Sequence, residues 1–125
     1  MGSSEALGLL SRRYARVGWL VAVLVGLSAC RTPIDPIVVR PDRVVVTNTS
    51  TDSWRGVEVW VNDHYRVTVA TLAPGGVFEA PLSSFVAGFG QRFDVSRQPV
   101  RGVEVTARTE DGAAVALVWG QGRRR

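Results

Sequence analysis

From residue 43 onward the chain repeats one pattern: an apolar residue, most often valine, at every second position, in short runs broken by Gly, Pro, Asn and Asp. In residues 54–62, Val57, Val59 and Val61 alternate with Glu58, Trp60 and Asn62. Side chains of an extended strand alternate between two faces, whereas a helix face repeats every 3.6 residues, so this spacing admits half-buried strands and excludes amphipathic helices. Residues 43–48 (R-V-V-V-T-N) read as a further β-branched strand, followed by a T-S-T-D-S turn. Asn62 and Asp63 supply a tight turn into residues 65–70, where Tyr65, Val67 and Val69 keep the two-residue period. Residues 77–82 predict a short strand interrupted at Pro81. Residues 82–86 predict one helical turn that tucks Phe85 under the sheet, and Gly88 and Gly90 a bend before residues 92–95. The last hairpin sets Val103, Val105 and Ala107 against Glu104, Thr106 and Arg108, turns at Glu110-Asp111-Gly112, and returns with Val115, Leu117 and Trp119 on one side.

Six or seven strands with turns about every ten residues, and no sustained helical period, predict an all-β fold. A small antiparallel β-sandwich buries the apolar faces most directly. The layout resembles immunoglobulin-like and fibronectin-like modules, but it has no Cys-Trp-Cys spacing, and a transthyretin-like sandwich or a small barrel would give much the same pattern. Such a likeness speaks to fold and not to function.

Ahead of this region stands a different kind of sequence. Arg12, Arg13 and Arg16 precede V-G-W-L-V-A-V-L-V-G-L at residues 17–27, and Ser28, Ala29 and Cys30 follow at once. This is the charged flank, apolar stretch and small-residue cleavage site of an export signal. Counted to Cys30 the uncharged run is 14 residues. As a helix it would reach about 21 Å against a hydrocarbon core of roughly 30 Å, too short to span a bilayer. The quartet Leu27-Ser28-Ala29-Cys30 resembles the lipobox of bacterial lipoproteins. The resemblance covers only the first thirty residues, and it implies cleavage before Cys30, recognition through Leu27, Ser28 and Ala29, and a diacylglyceryl group on the Cys30 sulfur. Two or more acyl chains anchor a protein far more firmly than one. No other cofactor is expected. The absence of aspartate after Cys30, where Arg31 stands, favours the outer membrane, facing the periplasm, in a diderm organism. Cys30 is also the sole cysteine, so a disulfide scaffold is excluded.

The chain thus divides into a signal peptide at 1–29, a lipidated, proline-rich tether at 30–42, a β-sandwich at 43–120 and a basic tail at 121–125. In the tether, Pro33, Pro36 and Pro41 favour extended geometry. Ile37, Val38 and Val39 within it read equally as the start of a first strand. The formal charge of +4 belongs to the ends: residues 31–122 hold nine arginines against ten acids, and Arg123, Arg124 and Arg125 form the tail. A near-neutral body argues against nucleic acid as a partner.

Few residues point to catalysis. His64 is the only histidine and sits at a turn beside Asp63, short of the three ligands a catalytic zinc requires. Ser83 and Ser84 lack a G-x-S-x-G elbow. The glycine pairs match no phosphate loop. The carboxylates fall mostly in turns or opposite the valine faces, where water solvates them. Trp60, opposite Val57, Val59 and Val61, is the candidate contact residue, with Tyr65 as its companion. The expectation is a non-catalytic, lipid-anchored cell-envelope component, structural or protein-binding, whose partners are membrane lipid and an envelope protein. A glycan or small-ligand module using Trp60 and Tyr65 is the alternative, and a hydrolase with an unrecognised site the third reading.

Overall fold

The computed structural model describes residues 32–121. Leu27, Ser28, Ala29, Cys30 and the terminal arginines lie outside the described residues.

Valine-rich stretches become strands where the alternation predicts them: β1 (Ile37–Val39), β2 (Arg43–Thr47), β3 (Trp54–Val61), β4 (Tyr65–Leu72), β5 (Val77–Pro81), β6 (Val86–Ala87), β7 (Gly102–Arg108) and β8 (Ala114–Gly120). Among the described residues eight strands form where six or seven are expected, because β1 and the two-residue β6 add to the count. All pairings are antiparallel. One sheet has the order β1-β2-β5 and the other β6-β4-β3-β7-β8. The result is a two-sheet antiparallel sandwich, with Ile37–Val39 paired to β2 as its first strand.

The core lies between the inner faces. Val44 and Val46 from one sheet, and Val57, Val59, Val61, Val103 and Val105 from the other, are fully buried. Burying a valine side chain contributes about 1.5–3 kcal/mol, so these seven carry much of the fold's hydrophobic stabilisation. Phe85 is also fully buried, just after a single 3-10 turn at Leu82–Ser84, as the sequence predicts. The Leu82 amide donates to Asp42 O at 2.8 Å, which fixes that turn against the β2 end of the small sheet. Residues 92–95, by contrast, form no strand; a single bridge, Val86↔Arg92, marks the place.

Two local features reset the alternation. Gly56 has φ +58°, and between Arg55 and Glu58 the β3–β7 register slips. A glycine with left-handed φ at an inserted residue is a β-bulge that bends and twists its strand. Beyond it, Trp54 and its β4 partner Leu72 are both buried, although strict alternation would turn them outward.

The second feature is the turn after β3. Three residues, Asn62, Asp63 and His64, lie between paired Val61 and Tyr65, so His64 sits in the turn as the sequence places it. Asn62 and Asp63 take φ of 49° and 65°, values that Asn and Asp tolerate better than most residues. A turn one residue shorter would shift the pairing by one and send every following side chain to the opposite face.

Candidate binding surface

The exposed face of the five-stranded sheet is built by the alternate residues of β3, β4, β7 and β8. Trp60 stands near its centre, half-buried, with Arg66 opposite it on β4 and Glu104 opposite it on β7. The Arg66 guanidinium carbon lies 5.2 Å from the Trp60 ring centroid. Glu58, two residues before Trp60 on the same face, ties the group together. Its Oε2 accepts from the Trp60 Nε1 at 3.3 Å, and its Oε1 accepts from the Arg66 Nη1 at 3.3 Å. At an exposed site a cation over a ring contributes about 0.5–1 kcal/mol and a surface ion pair about 0–1 kcal/mol, so the cluster fixes orientation more than it stabilises the fold. Glu104 departs from the expectation of solvated carboxylates, being only 8% exposed.

Tyr65 does not join this face. Because Val61 and not Trp60 is its partner across the turn, its ring turns inward, meets Phe93 edge-on at 5.2 Å between centroids and is buried. Its hydroxyl accepts from Gln98 Nε2 at 3.0 Å, satisfying the one polar atom it carries inward. The pairing of Trp60 with Tyr65 as a joint contact surface is therefore corrected: a three-residue turn separates them onto opposite sides of the sheet.

His64 is exposed on the turn. Together with Trp60, Arg66, Thr68 and Val86 to Gly88 it borders a shallow depression on the outer face. No group of three or more His, Cys, Asp or Glu side chains suited to a metal ion occurs among the described residues. The described carboxylates mostly serve local structure: Glu79 pairs with Arg43 at 3.1 Å and Glu110 with Arg55 at 3.5 Å. Asp94 is held below the usual carboxylate range by the Ser96 hydroxyl and then the Ser96 amide, with Arg97 adding to the effect. Asp111 is lowered by the Thr109 hydroxyl and then the Ala113 amide.

One asparagine at a strand end, Asn48, ties the end of β2 to the loop that follows it and to β4. Asn48 is fully buried; its Nδ2 donates to Asp52 O (2.8 Å) and Leu72 O (3.0 Å), and its Oδ1 accepts from Ser50 N (3.0 Å) and Ser50 Oγ (2.6 Å). The Asn-Thr-Ser run is the available sequence signal, since Asn side chains commonly bond the backbone two residues on.

The remaining surface feature is the outermost strand. β8 pairs with β7 alone among the described residues, and along it Val118 is 59% and Trp119 36% exposed. Among the described residues no helix is long and apolar enough to cross a membrane.

Comparison with known proteins yields no matching family model, curated protein or solved structure.

Proposed function

We propose that this chain is a lipid-anchored, non-catalytic component of a bacterial cell envelope, an immunoglobulin-like module that acts by binding protein. The observation that carries the binding role is β8: seven residues, none charged, at the open edge of the larger sheet, with Val118 and Trp119 facing water. Exposed apolar edge strands are uncommon in proteins that act alone, because unpaired amides and carbonyls recruit other strands. The anchoring role is supported by Leu27-Ser28-Ala29-Cys30 and the uncharged run ahead of it. Attachment of both partners to one membrane raises their effective concentration, so a modest interface suffices.

The test is the intact mass of the protein extracted from membranes, with crosslinked neighbours identified in the same preparation. The expected result is a chain beginning at Cys30, heavier by a diacylglyceryl group and its acyl chains, crosslinked to an envelope protein in fixed ratio. An unprocessed amino terminus with a free thiol overturns the anchoring, and an absence of any stoichiometric neighbour overturns the binding role.

A second reading, a glycan or small-ligand module, keeps one favourable observation: Trp60, His64 and Arg66 border a common depression. It predicts a change in tryptophan fluorescence on adding envelope polysaccharide that is lost in Trp60→Ala. Arg66 over the ring and Glu58 on the indole N–H already occupy the Trp60 side chain, which favours the first reading.

A further inference from the structure

The two sheets have four edges among the described residues, and three are protected. β1 is three residues long between Pro36 and Pro41; β5 carries Glu79 and ends in Pro81; β6 is two residues long. Short length, charge and proline are the usual devices that stop one sheet edge from pairing with another. β8 has none of them: it reads A-V-A-L-V-W-G over seven residues.

Its open hydrogen-bonding groups can be assigned. Thr109 N–H donates to Ala113 O at 2.9 Å and Gln121 N–H to Arg101 O at 3.0 Å, and both pairs continue the β7–β8 register beyond the ends of the ladder. Along an antiparallel ladder, bonded pairs alternate with non-bonded pairs. Val115, Leu117 and Trp119 therefore direct their amides and carbonyls to β7, and Ala114, Ala116 and Val118 direct theirs away from it. The segment ahead of β1 runs close by, since Asp35 and Pro36 share a shallow groove with Leu117, Val118 and Trp119. It does not fill the edge: Pro36 has no N–H, and its carbonyl accepts from Thr47.

We infer that the open edge of β8 pairs antiparallel with β8 of a second copy of this chain, about a two-fold axis at Leu117. In that register Ala116 lies opposite Val118 of the second copy, and Val118 opposite its Ala116, so each outward-facing N–H and C=O at the centre meets its complement. Val115 lies opposite Trp119, a small side chain against a large one. A two-fold pairing places each residue type against itself or its mirror position, so like charges would meet if the strand carried any. It carries none. The two five-stranded sheets become one continuous sheet. The pairing names the partner of the same β8 edge on which the proposed binding role rests, and it does not depend on whether Cys30 carries lipid.

The experiment uses the full chain with Leu117→Cys. Leu117 faces its symmetry mate as a non-bonded pair, with Cα atoms about 4.5 Å apart, inside the range a disulfide spans. Mild oxidation followed by peptide mass analysis is expected to give a disulfide between the two 117 positions, with sedimentation at twice the monomer mass before oxidation. The link is read at residue 117 itself, so the state of Cys30 does not confuse the result, and failure of the anchoring reading is scored separately from the amino-terminal mass. In the double variant Ala116→Lys/Val118→Lys, like charges face one another in the pair while both side chains stay on the exposed face. It is expected to sediment as a monomer and to retain the wild-type circular dichroism spectrum. A monomeric wild-type chain at tens of micromolar, no 117–117 disulfide, or a link from residue 117 to a different protein each overturns the pairing.

Discussion

The side-chain oxygen of Asn62 accepts the backbone N–H of Arg101 at 2.7 Å, joining the β3–β4 turn to the segment that enters β7. The same oxygen accepts from Gly102 N at 3.2 Å, and the Asn62 Nδ2 donates to Pro99 O at 2.9 Å. One side chain thus holds three backbone groups of a stretch that has little regular structure of its own. Asn62 also carries a left-handed φ. Asn62→Ala is expected to lose both contributions, about 1–3 kcal/mol from the hydrogen bonds and about 1 kcal/mol more from strain. Asn62→Gly loses only the first. Urea unfolding of the two variants is expected to place Ala below Gly; equal stability would show that the backbone conformation at this position carries no cost.

Asn48 does comparable work at the other end of the domain, but out of contact with water. Removing its carboxamide leaves the Leu72 and Asp52 carbonyls and the Ser50 amide without it, and burying polar groups unsatisfied costs about 1–3 kcal/mol each in the worst case. Asn48→Ala is expected to lower the unfolding free energy by about 2–3 kcal/mol. Asn48→Asp is expected to do more damage, because a carboxylate faces two carbonyl oxygens where an NH₂ group donated. An equilibrium unfolding midpoint within error of wild type for either variant would sink the assignment of this side chain as a junction between the two sheets.

The strand positions were legible because valine alternation is a local signal: β3, β7 and β8 lie where Val57, Val59, Val61, Val103, Val105 and Leu117 place them. The inward face of Tyr65 was already written in its two-residue period with Val67 and Val69, which line the same face across from Val59 and Val57, so the period and not the aromatic type was the signal to follow. What lay beyond the pattern depended on single residues at element ends. Trp54 and Leu72 are buried because Gly56 inserts a residue, and a lone glycine in a strand signals a bulge without stating which side chains it turns inward. At the surface, Trp60 was identifiable as an outward residue from its valine neighbours. Its engagement by Arg66 and Glu58 requires the β3–β4 register, which the turn sets.

That polarity of the larger sheet can be measured directly. Val59 is fully buried between Val67 and Val105, while Val118 on the outer face is largely exposed. Val59→Ala is expected to destabilise by about 1.5–3 kcal/mol through lost burial and the cavity left behind. Val118→Ala is expected to change stability by no more than about 0.5 kcal/mol. Denaturant midpoints with unchanged slopes would report both; a Val118→Ala loss as large as that of Val59→Ala would mean that the outer face is covered within the folded chain.

Acid should weaken the fold through two turns. Asp94, bonded by the Ser96 hydroxyl and amide, and Asp111, bonded by the Thr109 hydroxyl and the Ala113 amide, both have carboxyls depressed in the folded state. A depressed carboxyl favours folding at any pH above its unfolded value of roughly 3.9, and that contribution disappears as pH falls through the lower folded value. The expected behaviour is therefore no dependence from these groups near neutrality and a loss of stability below about pH 4. Both carboxyls are solvent-exposed, so the direction is the prediction. Carboxyl-carbon NMR titration is expected to place both midpoints below the ordinary aspartate value. Ser96→Ala should move Asp94 back up and leave Asp111 where it is, and Thr109→Val should do the reverse. A midpoint for Asp94 that ignores Ser96→Ala would show that the Ser96 hydroxyl does not hold that carboxylate ionised.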